Sequence, residues 1–286
     1  MLEVKKINKK FKHFSLQDIT FSLPAGYIMG YVGQNGAGKT TTLNIITNLL
    51  KADSGEIRVN GMTYMQNPIG YKDVIGFIGD ESYFPQEFRI KDLRKTLKDF
   101  YPSFQEEKFM EMVKLWELPE DKKIHEYSKG MKVKLMFAGV LSRDTKLLIL
   151  DEATSGLDPV VRNDVLSLLQ RYISDGERSV IFSTHILTDL EQIADYIFFI
   201  NDGKMVMCDT KDEIIEKYVL VKGGLEDLTK DLKKNLIGIM NSNVGFTALA
   251  ESEKALYLKK GLLIEKPTID NIVIHYIKES GGSKLL

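Results

Sequence analysis

The spacing of apolar residues changes character along the chain, and each change marks a structural region. From Leu2 to about residue 76, short β-like runs (Leu2 to Ile7, Leu16 to Leu23, Glu56 to Val59) alternate with turn signals at Asp53-Ser54-Gly55 and Asn60-Gly61. These predict antiparallel strands wrapped around the glycine-rich loop at 33–40, with a strand-like run, Tyr27 to Val32, before that loop and a helix over Thr41 to Leu50, whose apolar residues fall near helical spacing, after it. From about 89 to 142 the helical period dominates, in Leu93, Leu97, Phe100 and again in Phe109, Met112, Val113, Trp116, which predicts an inserted helical subdomain. From Lys146 the pattern turns to near-continuous apolar runs, Leu147 to Leu150 and Ser179 to Ser183, as parallel strands covered on both faces require, with Val160 to Ile173 as the crossover helix between them. After about Val219 the composition shifts again. Lys222-Gly223-Gly224 reads as a hinge, Ala255 to Leu258 and Leu262 to Ile264 as β-like patches, and Thr268 to Tyr276 as a closing helix with Ile269, Ile272, Val273 and Tyr276 on one face. The expected fold is α/β: a mainly parallel sheet, an N-terminal antiparallel β subdomain, an inserted α-helical subdomain, and a small C-terminal appendage. The main domain spans 1–219 and the accessory region 220–286.

A length of 286 residues with a formal charge of −1 allows a sizeable core and disfavours broad nucleic-acid steering. Cys208 is the single cysteine, so neither an internal disulfide nor a thiolate zinc cluster forms, which suits a reducing compartment. Met1 to Lys6 shows no signal-peptide pattern, and the longest apolar runs fall short of the roughly 20 residues a membrane helix needs. The expectation is a chain soluble by itself.

Gly33-Gln34-Asn35-Gly36-Ala37-Gly38-Lys39-Thr40 is a complete phosphate-binding loop between that strand and that helix, and it makes the core a P-loop NTPase. Its glycines let successive N–H groups face one anion, Lys39 reaches β- and γ-phosphates, the Thr40 hydroxyl suits Mg²⁺, and the helix dipole points at the phosphates. Lys146 to Leu150 is an apolar strand ending in Asp151-Glu152, which puts two acids at the carboxyl edge of the sheet where doubly wound folds bind ligands. Asp151 suits the Mg²⁺ shell and Glu152 the polarisation of a water.

Together with Ser155-Gly156-Leu157-Asp158 and Ser183-Thr184-His185, in this order, residues 1 to about 219 resemble the nucleotide-binding subunit of an ATP-binding cassette (ABC) transporter. The resemblance implies ATP and Mg²⁺ as ligands, Gly33 to Thr41 as the Walker A loop, Asp151 as the Walker B aspartate, and Glu152 as the catalytic base. It implies His185 as the switch histidine at the γ-phosphate, Asp158 as the D-loop residue communicating across a dimer, and Phe11 as the aromatic on adenine, although a Phe on a strand also reads as core. Tyr127-Ser128-Lys129-Gly130-Met131-Lys132 is similar to the family signature LSGGQ, with Ser128 and Gly130 kept, Lys129 in place of a glycine and Met131 in place of a glutamine. In the family this segment contacts ATP held by a second subunit, so a homo- or heterodimer is implied. Asp80 occupies the slot usually held by the Q-loop glutamine, where a carboxylate would act through Mg²⁺ or its water; Glu81 is the weaker candidate.

Acid at position 80 and the Ser-Lys-Gly-Met signature look like bacterial antibiotic- and peptide-exporter subunits. Tyr83, Phe84, Pro85 and Phe88 fall where such subunits form the groove for a coupling helix, though packing inside the helical subdomain explains them too. The resemblance implies a separately encoded membrane-spanning permease as partner, a cytoplasmic location on the inner face of the membrane, and no nucleic acid. Two other readings stay open: a soluble, non-transport cassette ATPase, and a nucleotide-binding partner with a degenerate site in a heterodimer.

Overall fold

The computed structural model describes residues 1–255, 258 and 261–281. Along the N-terminal part run β1 (Leu2–Lys10), β2 (Ser15–Leu23), β3 (Ile28–Val32), α1 (Lys39–Ile46), β4 (Ser54–Val59), α2 (Pro68–Asp73) and β5 (Ile75–Ile78). The helical stretch holds α3 (Ile90–Phe100), α4 (Glu106–Leu115) and α5 (Lys129–Leu141). The chain then returns to β6 (Leu147–Asp151), α6 (Pro159–Tyr172), β7 (Ser179–Ser183), α7 (Leu187–Ile193), β8 (Tyr196–Asn201), β9 (Lys204–Thr210) and α8 (Lys211–Lys217). The C-terminal part adds β10 (Tyr218–Gly223), α9 (Lys230–Lys233), β11 (Ile237–Ser242), β12 (Gly245–Glu251), α10 (Ser252–Ala255), β13 (Leu263–Glu265) and α11 (Ile269–Glu279).

Strands β1 to β9 form one sheet in the order β4-β1-β2-β9-β8-β3-β7-β6-β5. The run from β8 to β5 is parallel, while β4, β1 and β2 pair antiparallel at the other edge. The antiparallel N-terminal strands extend this sheet at one edge. Alternate residues of the inner strands feed two cores. On β6, Leu148 and Leu150 join the core that holds α3 to α6, whereas Leu147 and Ile149 join the one that holds α1; on β3, Ile28 and Val32 split from Met29 and Tyr31 in the same way. That two-sided burial is why these strands read as unbroken apolar runs.

Some of these local expectations need correction. Helix α1 stops at Ile46, with Thr47 as its C-cap and Asn48 in the left-handed region at φ 54°, so Leu49 ends up exposed instead of continuing the helix. Lys222-Gly223-Gly224 is not a hinge: Lys222 pairs with both Thr247 and Leu263, and Gly223 with Phe246, inside an antiparallel sheet ordered β11-β12-β10-β13. Tyr218, Leu220, Ile269, Ile272 and Val273 join the same core as the parallel strands, so the C-terminal part is packed onto the main body. Of the β-like patch at 255–258, Ala255 ends α10, and Leu256 and Tyr257 lie outside the described residues. The closing helix forms as its pattern requires, with Thr268 accepting from Asn271 N–H as N-cap. No described helix is long and apolar enough to cross a membrane.

Candidate active site

The phosphate loop leaves the carboxyl end of β3 and enters α1 through Gly38, whose φ of 110° is open to glycine at little cost and strained for any L side chain. A Cβ on Gly33 would lie 2.5 Å from the Ile200 carbonyl oxygen, so this glycine is required by the closeness of β8. The loop is braced by Ala37 N–H donating to Gln34 O (3.1 Å) and Gly203 N–H donating to Ala37 O (3.0 Å). Asn35 and Gly36 are exposed at its crest, and Thr40 and Thr41 follow on the first turn of α1. Lys39 is 7% exposed, with Nζ donating to the Gly33 carbonyl at 2.6 Å and the Gln34 carbonyl at 3.3 Å. Burial pulls its pKa below the usual lysine value, and the Glu152 and Asp151 carboxylates pull it back up.

The parallel register sets the acids beside this loop. Asp151 ends β6 opposite Ser183 of β7 and is buried, with Oδ1 lacking any hydrogen-bond partner among the described residues. Glu152 adopts φ 55°, a region that costs a non-glycine residue on the order of 1–3 kcal/mol and persists only where its surroundings fix it. They do so here: Glu152 N–H donates to Ser183 O, and its own carbonyl accepts from Ser155 N–H, both at 3.0 Å. The carboxylate then lies 3.9 Å from Lys39 Nζ through Oε1 and 2.7 Å from His185 Nδ1 through Oε2. An ionised carboxylate only accepts, so Nδ1 carries the proton. Lys39, Glu152 and His185, drawn from three different segments, thus meet at the carboxyl edge of the sheet.

The remaining candidates fall into place unevenly. Phe11, 41% exposed just past β1, is not a core residue; its ring stacks on Phe14 at 6.2 Å between centroids. Phe14 was not singled out by the sequence, yet a Cβ on Gly38 would lie 2.8 Å from its ring, so it forms the wall joining Phe11 to the phosphate loop. Asp158 is the N-cap of α6, its Oδ1 accepting from Val160 and Val161 N–H at 3.0 Å. Ser128 caps α5 by accepting from Met131 N–H at 3.2 Å, with Gly130 in the first turn. The Asp80 carboxylate pairs with Lys129 Nζ at 2.6 Å. A lysine at the first residue of a helix faces the positive end of the dipole and draws in the nearest carboxylate. Asp189 of α7 also escaped notice; burial raises its carboxyl pKa, against the lowering influence of Arg162 and His185. A lone acid in a helical run gives no signal of this.

The ABC transporter family profile matches residues 16–155. The ABC transporter ATP-binding protein YtrB of Bacillus subtilis (strain 168) is 29% identical over 266 residues, spanning 91% of each chain. The energy-coupling factor transporter ATP-binding protein EcfA2 of Ligilactobacillus salivarius (strain UCC118) is 32% identical over 232 residues, 74% of this chain and 80% of that one. Among solved structures, that of an ATP-binding subunit of an ABC transporter superposes with a TM-score of 0.69 at 26% identity, covering 75% of this chain and 91% of the other. With a nucleotide loop, two edge acids and a histidine held in one array on this fold, the chain belongs to the ABC transporter family as an ATP-binding, ATP-hydrolysing subunit.

Proposed function

We propose that this subunit works as a dimer that closes around Mg²⁺-ATP and drives a separate membrane-spanning permease from its cytoplasmic face, in the export direction. The observation that carries the reading is the convergence of Lys39, Glu152 and His185 beside the phosphate loop. Phosphoryl transfer to water is mainly positioning and charge neutralisation. In this reading the loop N–H groups and Lys39 bind the phosphates, exchanging the Gly33 and Gln34 carbonyls for phosphate oxygens. Glu152 takes a proton from the attacking water, and His185 holds that carboxylate in place until a γ-phosphate recruits the ring. Phe11, extended by Phe14, offers its exposed face to adenine.

The residues fit Mg²⁺: Asp151 has a buried oxygen without a partner among the described residues, and Thr40 follows the lysine on the exposed rim. Among the described residues no cluster of three or more His, Cys, Asp or Glu could hold a metal, which suits an ion shared with substrate phosphates and water. Once bound there by Thr40 and Asp151, it would supply charge neutralisation on the phosphates. Asp158 and the Ser128 end of α5 are assigned to the dimer contact, residues 1–219 to the ATPase domain with its helical subdomain at about 89–142, and 220–286 to an accessory region. Export rests on the acid at 80 and the Ser128 to Met131 signature.

Docking to the permease is assigned to a groove of about 520 Å³ between α2 and α3. Exposed Ile69, Tyr83 and Phe100 supply its apolar face, and the charged side chains that line it, Lys72 and Arg143, are both basic. An amphipathic helix bearing an acidic residue is the occupant this lining suits. Of the aromatic cluster read from the sequence, Tyr83 is 52% exposed, whereas Phe84 is buried against the core and does not serve as a surface probe. Tyr83→Glu removes an anchor and adds a like charge opposite the incoming acid. It is expected to cut recovery of the membrane subunit with this chain about tenfold or more, with ATP affinity unchanged. Recovery at the parental level would remove the groove from the reading.

A further inference from the structure

Two of the chain's departures from the family motifs, Asp80 and Lys129, lie far apart in sequence, and the fold places them against each other at 2.6 Å. Lys129 is the first residue of α5, where its charge opposes the helix dipole and an anion close by is favoured. It also reaches the Ser155-Gly156-Leu157-Asp158 loop: a Cβ built on Gly156 would lie 3.6 Å from Lys129 Nζ. A single ammonium thus connects the loop after β5, the start of α5 and the loop after β6. The side chains of Lys129 and Asp80 are 42% and 52% exposed, so the pair opens to solvent and its strength is modest. An exposed carboxylate is a weak competitor for a lysine when a multiply charged phosphate is presented to the same helix end.

We propose that Lys129 exchanges partners during the cycle: it is held by Asp80 in the open subunit and passes to the γ-phosphate of the ATP bound by the second subunit on closure. Asp80 then acts as a resting counter-charge that sets how readily the dimer closes, and not as a ligand of the metal in its own subunit. This rests on the ATP-bridged dimer proposed above. The lysine adds to each interface a cation that a glycine at this position cannot supply, and two such exchanges occur per symmetric dimer.

The test measures the dimer dissociation constant at saturating Mg²⁺-ATP by sedimentation, in a Glu152→Gln background that blocks turnover. Three further variants are compared with that parent: Asp80→Asn, Lys129→Gln and the double substitution. Freeing the lysine with Asp80→Asn is expected to tighten the dimer about fivefold, since a weak exposed pair is released at two sites. Lys129→Gln is expected to weaken it at least tenfold, a charge-assisted contact being lost at both. The double variant should match Lys129→Gln alone, because Asp80 acts only through the lysine. Purely structural roles would instead shift melting temperatures and give same-sign or additive effects on dimerisation, and either result overturns the exchange. If the parent dimerises with ATP but ignores both substitutions, the exchange alone falls. If the parent stays monomeric, the dimer reading falls and takes the exchange with it.

Discussion

Glu152→Gln is expected to bind ATP as the parent does and to release phosphate on the order of 10²- to 10⁴-fold more slowly, the range a positioned general base contributes. This corresponds to roughly 3–5 kcal/mol of barrier. The backbone of residue 152 is held in its left-handed conformation by Ser183 O and Ser155 N–H, contacts a side-chain amide leaves untouched. Glutamine has the same length and its carbonyl oxygen still accepts from His185 Nδ1, so the array keeps its shape and loses the basic oxygen together with the 3.9 Å charge pair to Lys39. A loss of turnover therefore reports chemistry and not misfolding. Phosphate release in single-turnover conditions, together with nucleotide titration, separates the two quantities. Hydrolysis at the parental rate would mean that the water is activated by another group.

Lys39→Ala is expected to weaken nucleotide binding roughly thirtyfold or more while leaving the unliganded subunit folded. In the free chain the ammonium is 7% exposed and satisfied by loop carbonyls, and burial already disfavours its charged form. Its removal therefore relieves a desolvation cost as well as losing two hydrogen bonds, so the melting temperature without ligand changes little. With a triphosphate in the loop the balance is different, because truncating one partner of a buried, hydrogen-bonded charge pair costs about 2–5 kcal/mol, which is roughly thirtyfold or more in Kd. The ATP-induced rise in melting temperature should shrink correspondingly in the variant. An unchanged rise would place the triphosphate elsewhere.

The parallel core and the phosphate loop were legible because their signals are local. Unbroken apolar runs such as Leu147 to Leu150 follow from burial on both faces, and the glycine spacing from Gly33 to Gly38 follows from backbone geometry that few other residues allow. The meeting of Lys39, Glu152 and His185 was legible only through motif order, since the parallel register that brings β3, β6 and β7 together is a long-range property. What escaped were features decided by tertiary contact. Lys222-Gly223-Gly224 has hinge composition, but partners on both sides recruit Lys222 and Gly223 into a strand. Asp80 and Lys129 each look like an isolated departure from a motif until the fold joins them. Phe14 matters because of what its ring touches across the loop, and no periodicity encodes that.

The proposed dimer grips one ATP between the phosphate loop of one subunit and the Ser128 end of α5 in the other. The most direct measurement is light scattering of the purified Glu152→Gln chain with and without saturating Mg²⁺-ATP. The sandwich requires a monomer without nucleotide, a species of twice that mass with it, and reversal when ATP is replaced by ADP. A chain that binds ATP to saturation and remains monomeric would contradict it.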